Sequence, residues 1–258
     1  MLTQSYYNLA NMIHLAGPDL EANDLSPRFT PGGFGFFADA HGPRFMQYIK
    51  SAETSTTLAL GDWVCRAADV TISSITSGTT VSVTKTAAGL TASAHIGKEL
   101  IDETEAVAGG APEGESGIIV ANTTTVVTID SLYPFSTAPS ATANMRIRSV
   151  FHGIQNTSAT TKSRNMLGSV VAAGGITAGY YGWVQFGGVH PNCGTKASAA
   201  IVLGVAVIGT TTAGKCGTSS SSAVDLLLGR ALCTVASTNS GLNPVDIDCN
   251  VFGTLASA

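Results

Sequence analysis

Charge is what this sequence has least of. Only 12% of its 258 residues are Asp, Glu, Lys or Arg, against about 25% in an ordinary soluble domain. Thirteen cationic residues face seventeen acidic ones and are scattered, so no basic stripe exists to neutralise a run of phosphates, and nucleic acid is not expected as a partner. The acidic excess is too small for a disordered polyanionic tail. A chain with so few charges gains by burying surface against partners, which favours an assembly subunit.

Long apolar runs are missing as well. The longest, ASAAIVLGVAVIG over 197–209, falls short of the ~20 residues of a membrane helix, and its β-branched content predicts a buried strand. The opening MLTQSYYNLANMIHLAG has no basic start followed by a continuous apolar stretch, so neither a secretory leader nor a membrane partner is expected. The five cysteines, at 65, 193, 216, 233 and 249, are odd in number and lack CxxC spacing. They read as free, buried small hydrophobes, consistent with synthesis in a reducing cytoplasm. Cys216 and Cys233 are nonetheless far enough apart in the chain to close a disulfide.

Catalytic and metal signatures are equally sparse. His14, His41, His95, His152 and His190 form no HxxxH, HExxH or Cys/His cluster, and GxSxG is absent. GGFGFF (32–37) lacks GxGxxG spacing, and no helix follows it to hold a phosphate. Asp246, Asp248 and Asn250 copy the start of a calcium loop, but Val251 and Ser257 stand where that loop needs glycine and glutamate. No cofactor, no metal and no enzymatic activity are expected.

What is present is period-two alternation. In TTVSVTK, Val81 and Val83 share one face; in NMRIRSV, Met145 and Ile147 oppose Arg146 and Arg148; in VDIDCNVF, Val245, Ile247, Cys249 and Val251 oppose Asp246, Asp248 and Asn250. Turn signals recur at short intervals, and no long helical pattern suggests βαβ units. The predicted fold is an all-β, antiparallel sandwich or barrel with an N-terminal arm. Length suits one large β domain or two smaller ones. The expected organisation is an arm over 1–32, a β-rich region over 33–150 and another over 151–258, the last either separate or continuous with the second. In the arm, Leu9, Met12, Ile13 and Ala16 are spaced as a short amphipathic helix that Gly17-Pro18 would stop. Residues 103–117, with four glutamates, are expected as an acidic loop.

AGYYGWVQFGG (178–188) stands apart. Four aromatics lie among four glycines, with no charge. As a strand it sets Tyr180, Gly182, Val184 and Phe186 on one face and Tyr181, Trp183 and Gln185 on the other. Neither face suits bulk water, so a strand buried on both sides is expected.

Several pieces together resemble the capsid decoration (cement) proteins of tailed bacteriophages. Leu58, Gly61, Asp62 and Val64 match an L-x-x-G-D-x-V strand start; Gly114, Glu115, Ile119 and Asn122 match G-E-x-x-x-I-x-x-N; Tyr181 to Gln185 match Y-G-W-V-Q; Gly229, Ala231 and Leu232 match G-x-A-L. The similarity spans residues 36–235. It implies a virion protein made in the host cytoplasm and placed on the capsid surface, a homotrimer whose partners are the major capsid protein and itself. On that reading Tyr181, Trp183 and Phe186 anchor the β core or trimer seam, and the arm, through Tyr6, Tyr7, Met12 and Ile13, reaches another subunit. The competing readings are a tail fibre or other receptor-binding virion protein, and a carbohydrate-binding module using the aromatic strand as a sugar platform.

Overall fold

The computed structural model describes residues 13–40, 42–73, 75–105, 110–149, 151–156, 166–196, 201–210, 212–218, 227–236 and 240–248. Among them the regular structure is β, apart from a five-residue 3-10 helix at Gly17–Glu21. The strands run β1 (Ile13–His14), β2 (Phe34–Asp39), β3 (Gly42–Ser51) and β4 (Trp63–Arg66). Then come β5 (Val70–Ile72), β6 (Ile75–Thr79), β7 (Ser82–Lys85), β8 (Glu99–Thr104), β9 (Ser116–Asn122), β10 (Val126–Ile129) and β11 (Asn144–Arg148). The last are β12 (His152–Gln155), β13 (Met166–Val170), β14 (Tyr181–Lys196), β15 (Ala206–Gly209), β16 (Cys216–Thr218), β17 (Leu227–Ala231) and β18 (Ser240–Asp248). Pairing is antiparallel except for β1–β2, β3–β12 and β14–β16 among the described strands. The all-β, antiparallel expectation therefore holds.

The chain folds as two compact units. Unit 1 comprises Met1–Ala67 and Phe151–Ala258, and unit 2 comprises Ala68–Val150. The chain passes from unit 1 to unit 2 after Ala67 and back after Val150, so unit 2 is an insertion into unit 1.

Unit 1 is organised around β14, whose 16 residues are about three times a typical strand. Its first half completes a ring of pairings, β3–β12–β4–β13–β14 and back to β3. Its second half completes another, β14–β16–β15–β17–β18 and back to β14. Gly187 is the hand-over residue, pairing with Phe45 of β3 and with Asp248 of β18. The ladder to β3 shifts register there, and such a bulge bends a strand. Gly188 follows at φ 82°, where a β-carbon would strike the Pro43 carbonyl, so only glycine fits this switch. Farther on, Pro191 falls in the register break between His190 and Cys193, where β18 in turn carries Pro244. Both prolines thus sit where no ladder N–H is needed.

Alternation along β4 divides the core of unit 1. Val64 joins Ile49, Leu58, Leu167, Val170, Ile176 and Val184 in one cluster. Its neighbours Trp63 and Cys65 turn the other way, to Cys193, Val207, Cys216, Leu228, Val245 and Ile247. The L-x-x-G-D-x-V turn feeds this strand. Gly61 is left-handed (φ 78°), with a would-be β-carbon 2.8 Å from the Gly194 nitrogen. Asp62, 2% exposed, accepts from Ala59 N–H (2.8 Å), Gln155 Nε2 (2.5 Å) and Lys215 Nζ (3.1 Å).

Unit 2 is a sheet in the order β5–β11–β8–β9–β10–β7–β6. Laid flat, its outer strands would stand about 29 Å apart at ~4.8 Å per step. Yet only two residues separate the end of β5 from the start of β6, a link spanning about 10 Å at most. The sheet must therefore roll up, and one cluster takes residues from all seven strands: Ile72, Ile75, Val83, Leu100, Ile119, Val127, Ile129, Met145 and Ile147. The predicted alternation holds. Met145 and Ile147 are fully buried, while Arg146 pairs outward with Glu103 at 2.7 Å and Arg148 with Glu99 at 2.6 Å.

Three expectations are corrected. Ile13 lies in a strand parallel to β2, not in a helix. The buried residue nearby is Leu15, with His14 and Ala16 exposed, so the local period is two. Gly17-Pro18 opens the 3-10 helix rather than closing one, since proline suits a first turn. The run 197–209 is not one buried strand. Ile201 and Val207 are buried, but Val202, Leu203 and Val205 are 50%, 60% and 39% exposed around a turn, and 197–200 lie outside the described residues. Finally, the acidic loop is partly strand: Glu103 and Thr104 end β8, and Ser116 and Gly117 begin β9.

Candidate interaction surfaces

The residues singled out from sequence fall into three settings. Tyr6, Tyr7 and Met12 lie outside the described residues. The rest of the expected arm, from Ile13 to Gly32, packs on its own chain: Leu15, Leu20 and Ala22 are buried with Met46, Tyr48 and Trp183, and Ile13 packs against this cluster. Asp24 exchanges backbone hydrogen bonds with Tyr181 at 2.9 and 2.8 Å.

Trp183 is a core residue, 0% exposed. Its ring lies 4.9 Å from Tyr48 and 5.1 Å from Phe29, and Tyr181 stacks on Tyr48 at 6.0 Å. The Tyr48 hydroxyl donates to Asp24 Oδ2 at 2.7 Å. Burial first, and this bond second, hold Tyr48 protonated by raising its pKa. Gln185, on the same face of β14 as Trp183, is fully buried and donates to Gly187 O (3.1 Å) and Gly188 O (2.8 Å), bracing the switch. The strand buried on both sides is thus realised inside unit 1.

Phe186 belongs to a half-buried row of rings. It lies 5.5 Å from Phe34 and 6.3 Å from Phe45; Phe45 lies 6.0 Å from Phe36, and Phe36 lies 6.0 Å from His14. The row crosses β1, β2, β3 and β14, so only strand pairing assembles it.

The most exposed apolar side chains were not singled out by sequence. In unit 1, the turn that carries Val202, Leu203 and Val205 runs beside the segment that carries Leu232 (39% exposed): Gly204 N–H donates to Ala231 O at 2.8 Å and Ala231 N–H to Val205 O at 3.0 Å. In unit 2, Ile118 (48%) and Val120 (47%) face outward on β9. The Asp130 N–H donates to Ile118 O at 2.9 Å, bringing alongside them the turn that carries Leu132 (78%) and Tyr133 (73%). The glycine inside IVLGVAV was the available signal, since it breaks the run where the turn forms.

Burial disfavours the charged forms of several interior titratable side chains. Cys65, Cys193 and Cys216 are buried thiols outside any disulfide, and burial pushes the Cys216 thiol up to about 12, far from a reactive thiolate. His190 is 1% exposed, with Nε2 on Val170 O (3.1 Å) and Nδ1 accepting from Asn192 N–H (3.1 Å). Burial lowers its pKa to about 4. His95 is likewise lowered to about 4, by burial and then by Lys98, whose Nζ is 3.4 Å from its Nδ1. Among the described residues no group of three or more His, Cys, Asp or Glu is arranged to hold a metal ion.

Comparison with protein-family models, curated proteins and solved structures finds no match to this chain.

Proposed function

We propose that this chain is a structural virion protein, a capsid decoration protein that binds the outer lattice and strengthens contacts between capsomers. The observation that carries the reading is the exposure of aliphatic and aromatic side chains on both units, Val202, Leu203, Val205 and Leu232 on one and Ile118, Val120, Leu132 and Tyr133 on the other. A chain with 12% charged residues gains from covering such surface. The residues matching the decoration-protein pattern support the reading by lying at framework positions: the turn into β4, the lead into β9 and β9 itself, β17 and the residue after it, and the start of β14.

The work of such a protein is mechanical. A standard interface buries about 1,600 Å² in all, and an oligomer multiplies contacts without adding a new kind. The proposed partners are the major capsid protein and two further copies of this chain. The proposal assigns no catalytic step to any residue.

The test has two parts. Native mass measurement of the purified chain is expected to give a trimer. Co-sedimentation with phage heads lacking the protein is expected to show saturable binding at hundreds of copies per particle. Binding of only a few copies would assign the chain to a tail fibre, and saturable quenching of tryptophan fluorescence by sugars would assign it to carbohydrate recognition.

A further inference from the structure

Asp102 occupies an unusual place in unit 2. It lies on β8, two residues after Leu100, and shares the inward face of the rolled sheet with its cross-strand partner Met145. All three side chains are 0% exposed. Neither Asp102 Oδ1 nor Oδ2 meets a donor in bonding geometry. The backbone keeps the residue in place, its N–H donating to Glu115 O at 3.0 Å and its carbonyl accepting from Gly114 N–H at 2.8 Å.

What the carboxyl does meet is another carboxyl. Glu105 lies within hydrogen-bonding reach of the Asp102 side chain, and Glu113 adds further negative charge close by. Glu105 is itself held: both its oxygens accept from Ser140 N–H at 3.1 Å, and its N–H donates to Glu113 Oε2 at 3.3 Å. The charged groups on surrounding elements are engaged elsewhere. Arg146 on β11 faces outward to Glu103 (2.7 Å) and Asp69 (3.8 Å). The Glu115 carboxylate binds Ser136, at 2.7 Å to its N–H and 2.5 Å to its hydroxyl. Lys98 sits beside His95, before the start of β8.

An ionised carboxylate with no donor, out of water and against a second carboxylate, is strongly disfavoured. One proton between the two removes the repulsion and makes a charge-assisted hydrogen bond. We propose that Asp102 and Glu105 share a single proton, and that this pair is an acid-closed latch tying the end of β8 to the Ser140 turn. Burial chiefly, then the bond to and charge of Glu105, then Glu113, raise the Asp102 pKa to about 7, with the Thr104 backbone pulling weakly the other way. The sign follows. Between the ordinary aspartate range near 4 and about 7, the closed form holds a proton that an opened form releases. Closure is therefore strongest in acid and weakens as pH rises through that interval.

The experiment uses the full chain. Carboxyl-carbon NMR, with Asp102 assigned by the signal lost in Asp102→Asn, is expected to show titration near neutrality. Hydrogen exchange at the Asp102 and Gly114 amides, corrected for the intrinsic rate, is expected to lose protection about tenfold per pH unit between pH 5 and 7 and then level off. Asp102→Asn supplies a permanent donor to Glu105, and Glu105→Gln supplies one to Asp102; both are expected to flatten that slope. An Asp102 carbon that titrates in the ordinary range, or a slope that survives in both variants, overturns the proposal. If Asp102→Asn does not fold, assignment through its backbone amide and the Glu105→Gln comparison decide the matter alone.

Discussion

The two units are made of different material. Between Ala68 and Val150 there are eight Asp and Glu against four Lys and Arg, so this unit holds the whole net charge of −4; the rest of the chain balances nine against nine. Both tryptophans, all five cysteines and every aromatic except Tyr133 and Phe135 belong to unit 1. The contrast follows from topology. Unit 2 rolls one sheet around one core, so aliphatic side chains fill the inside and ion pairs such as Arg148–Glu99 cover the outside. Unit 1 shares one long strand between two rings, so its central residues are buried on both faces. That geometry calls for large rings to fill space and for glycine where backbones approach, and it leaves few places for charge.

The sharpest way to break the contrast is to empty one core and watch the other. Trp183→Ala is expected to cost about 3–5 kcal/mol, read by urea unfolding followed through the remaining Trp63 fluorescence. Leu100→Ala, in unit 2, is expected to cost about 2–5 kcal/mol, seen in far-ultraviolet circular dichroism, while the tryptophan transition keeps its midpoint. If both variants shift both signals equally, the units do not unfold separately and the contrast is only one of composition. A smaller loss, about 1–3 kcal/mol, is expected for Gly61→Ala, because the left-handed turn and the nearby Gly194 nitrogen leave no room for a β-carbon.

Acid sharpens the comparison further. His190 stays neutral in unit 1 with a folded pKa near 4, below its unfolded value near 6.5. Its contribution is present above 6.5 and fades as pH falls toward 4, about 2 kcal/mol between pH 6.5 and 5. In unit 2 the same acid acts in opposite senses on His95, which is lowered, and Asp102, which is raised. Unit 1 is therefore expected to lose more stability than unit 2 on going from pH 7 to 5, as measured by thermal melting with separate probes. The smallest effect on folding, within about 0.5 kcal/mol, is expected for Leu203→Ser and Leu132→Ser. On the proposed function each weakens self-association or binding to phage heads, and unchanged sedimentation of both would remove those side chains from the interface.

How much was legible followed the same division. In β7, β11 and β18 one face meets a core and the other meets water, so alternating residues announced Val83, Met145, Ile147, Val245 and Ile247 as interior. The stretch around Trp183 announced a strand buried twice over, but not that Phe186 would part from Val184, its neighbour on the same face, for a row with Phe34, Phe36 and Phe45. The helical spacing of Leu9, Met12, Ile13 and Ala16 misled at Ile13, because spacing alone does not say that Ile13 pairs with Gly35; Leu9 and Met12 lie outside the described residues. The exposed Leu203 and Leu132 were hidden too, since a turn presents to solvent what an apolar run suggests is inside.

Composition and local period alone determined that the chain is β, where several strands turn their apolar faces, and that low charge must be reconciled with covered surface. Only the tertiary structure decided that β14 joins two rings, that Ala68–Val150 is an insertion, and that the Asp102 carboxyl is buried with neither oxygen on a donor. The reason is physical. Side-chain alternation is written into neighbouring residues, whereas strand partners can lie well over a hundred positions apart, as Phe45 and Gly187 do, and are chosen by the packing of the whole.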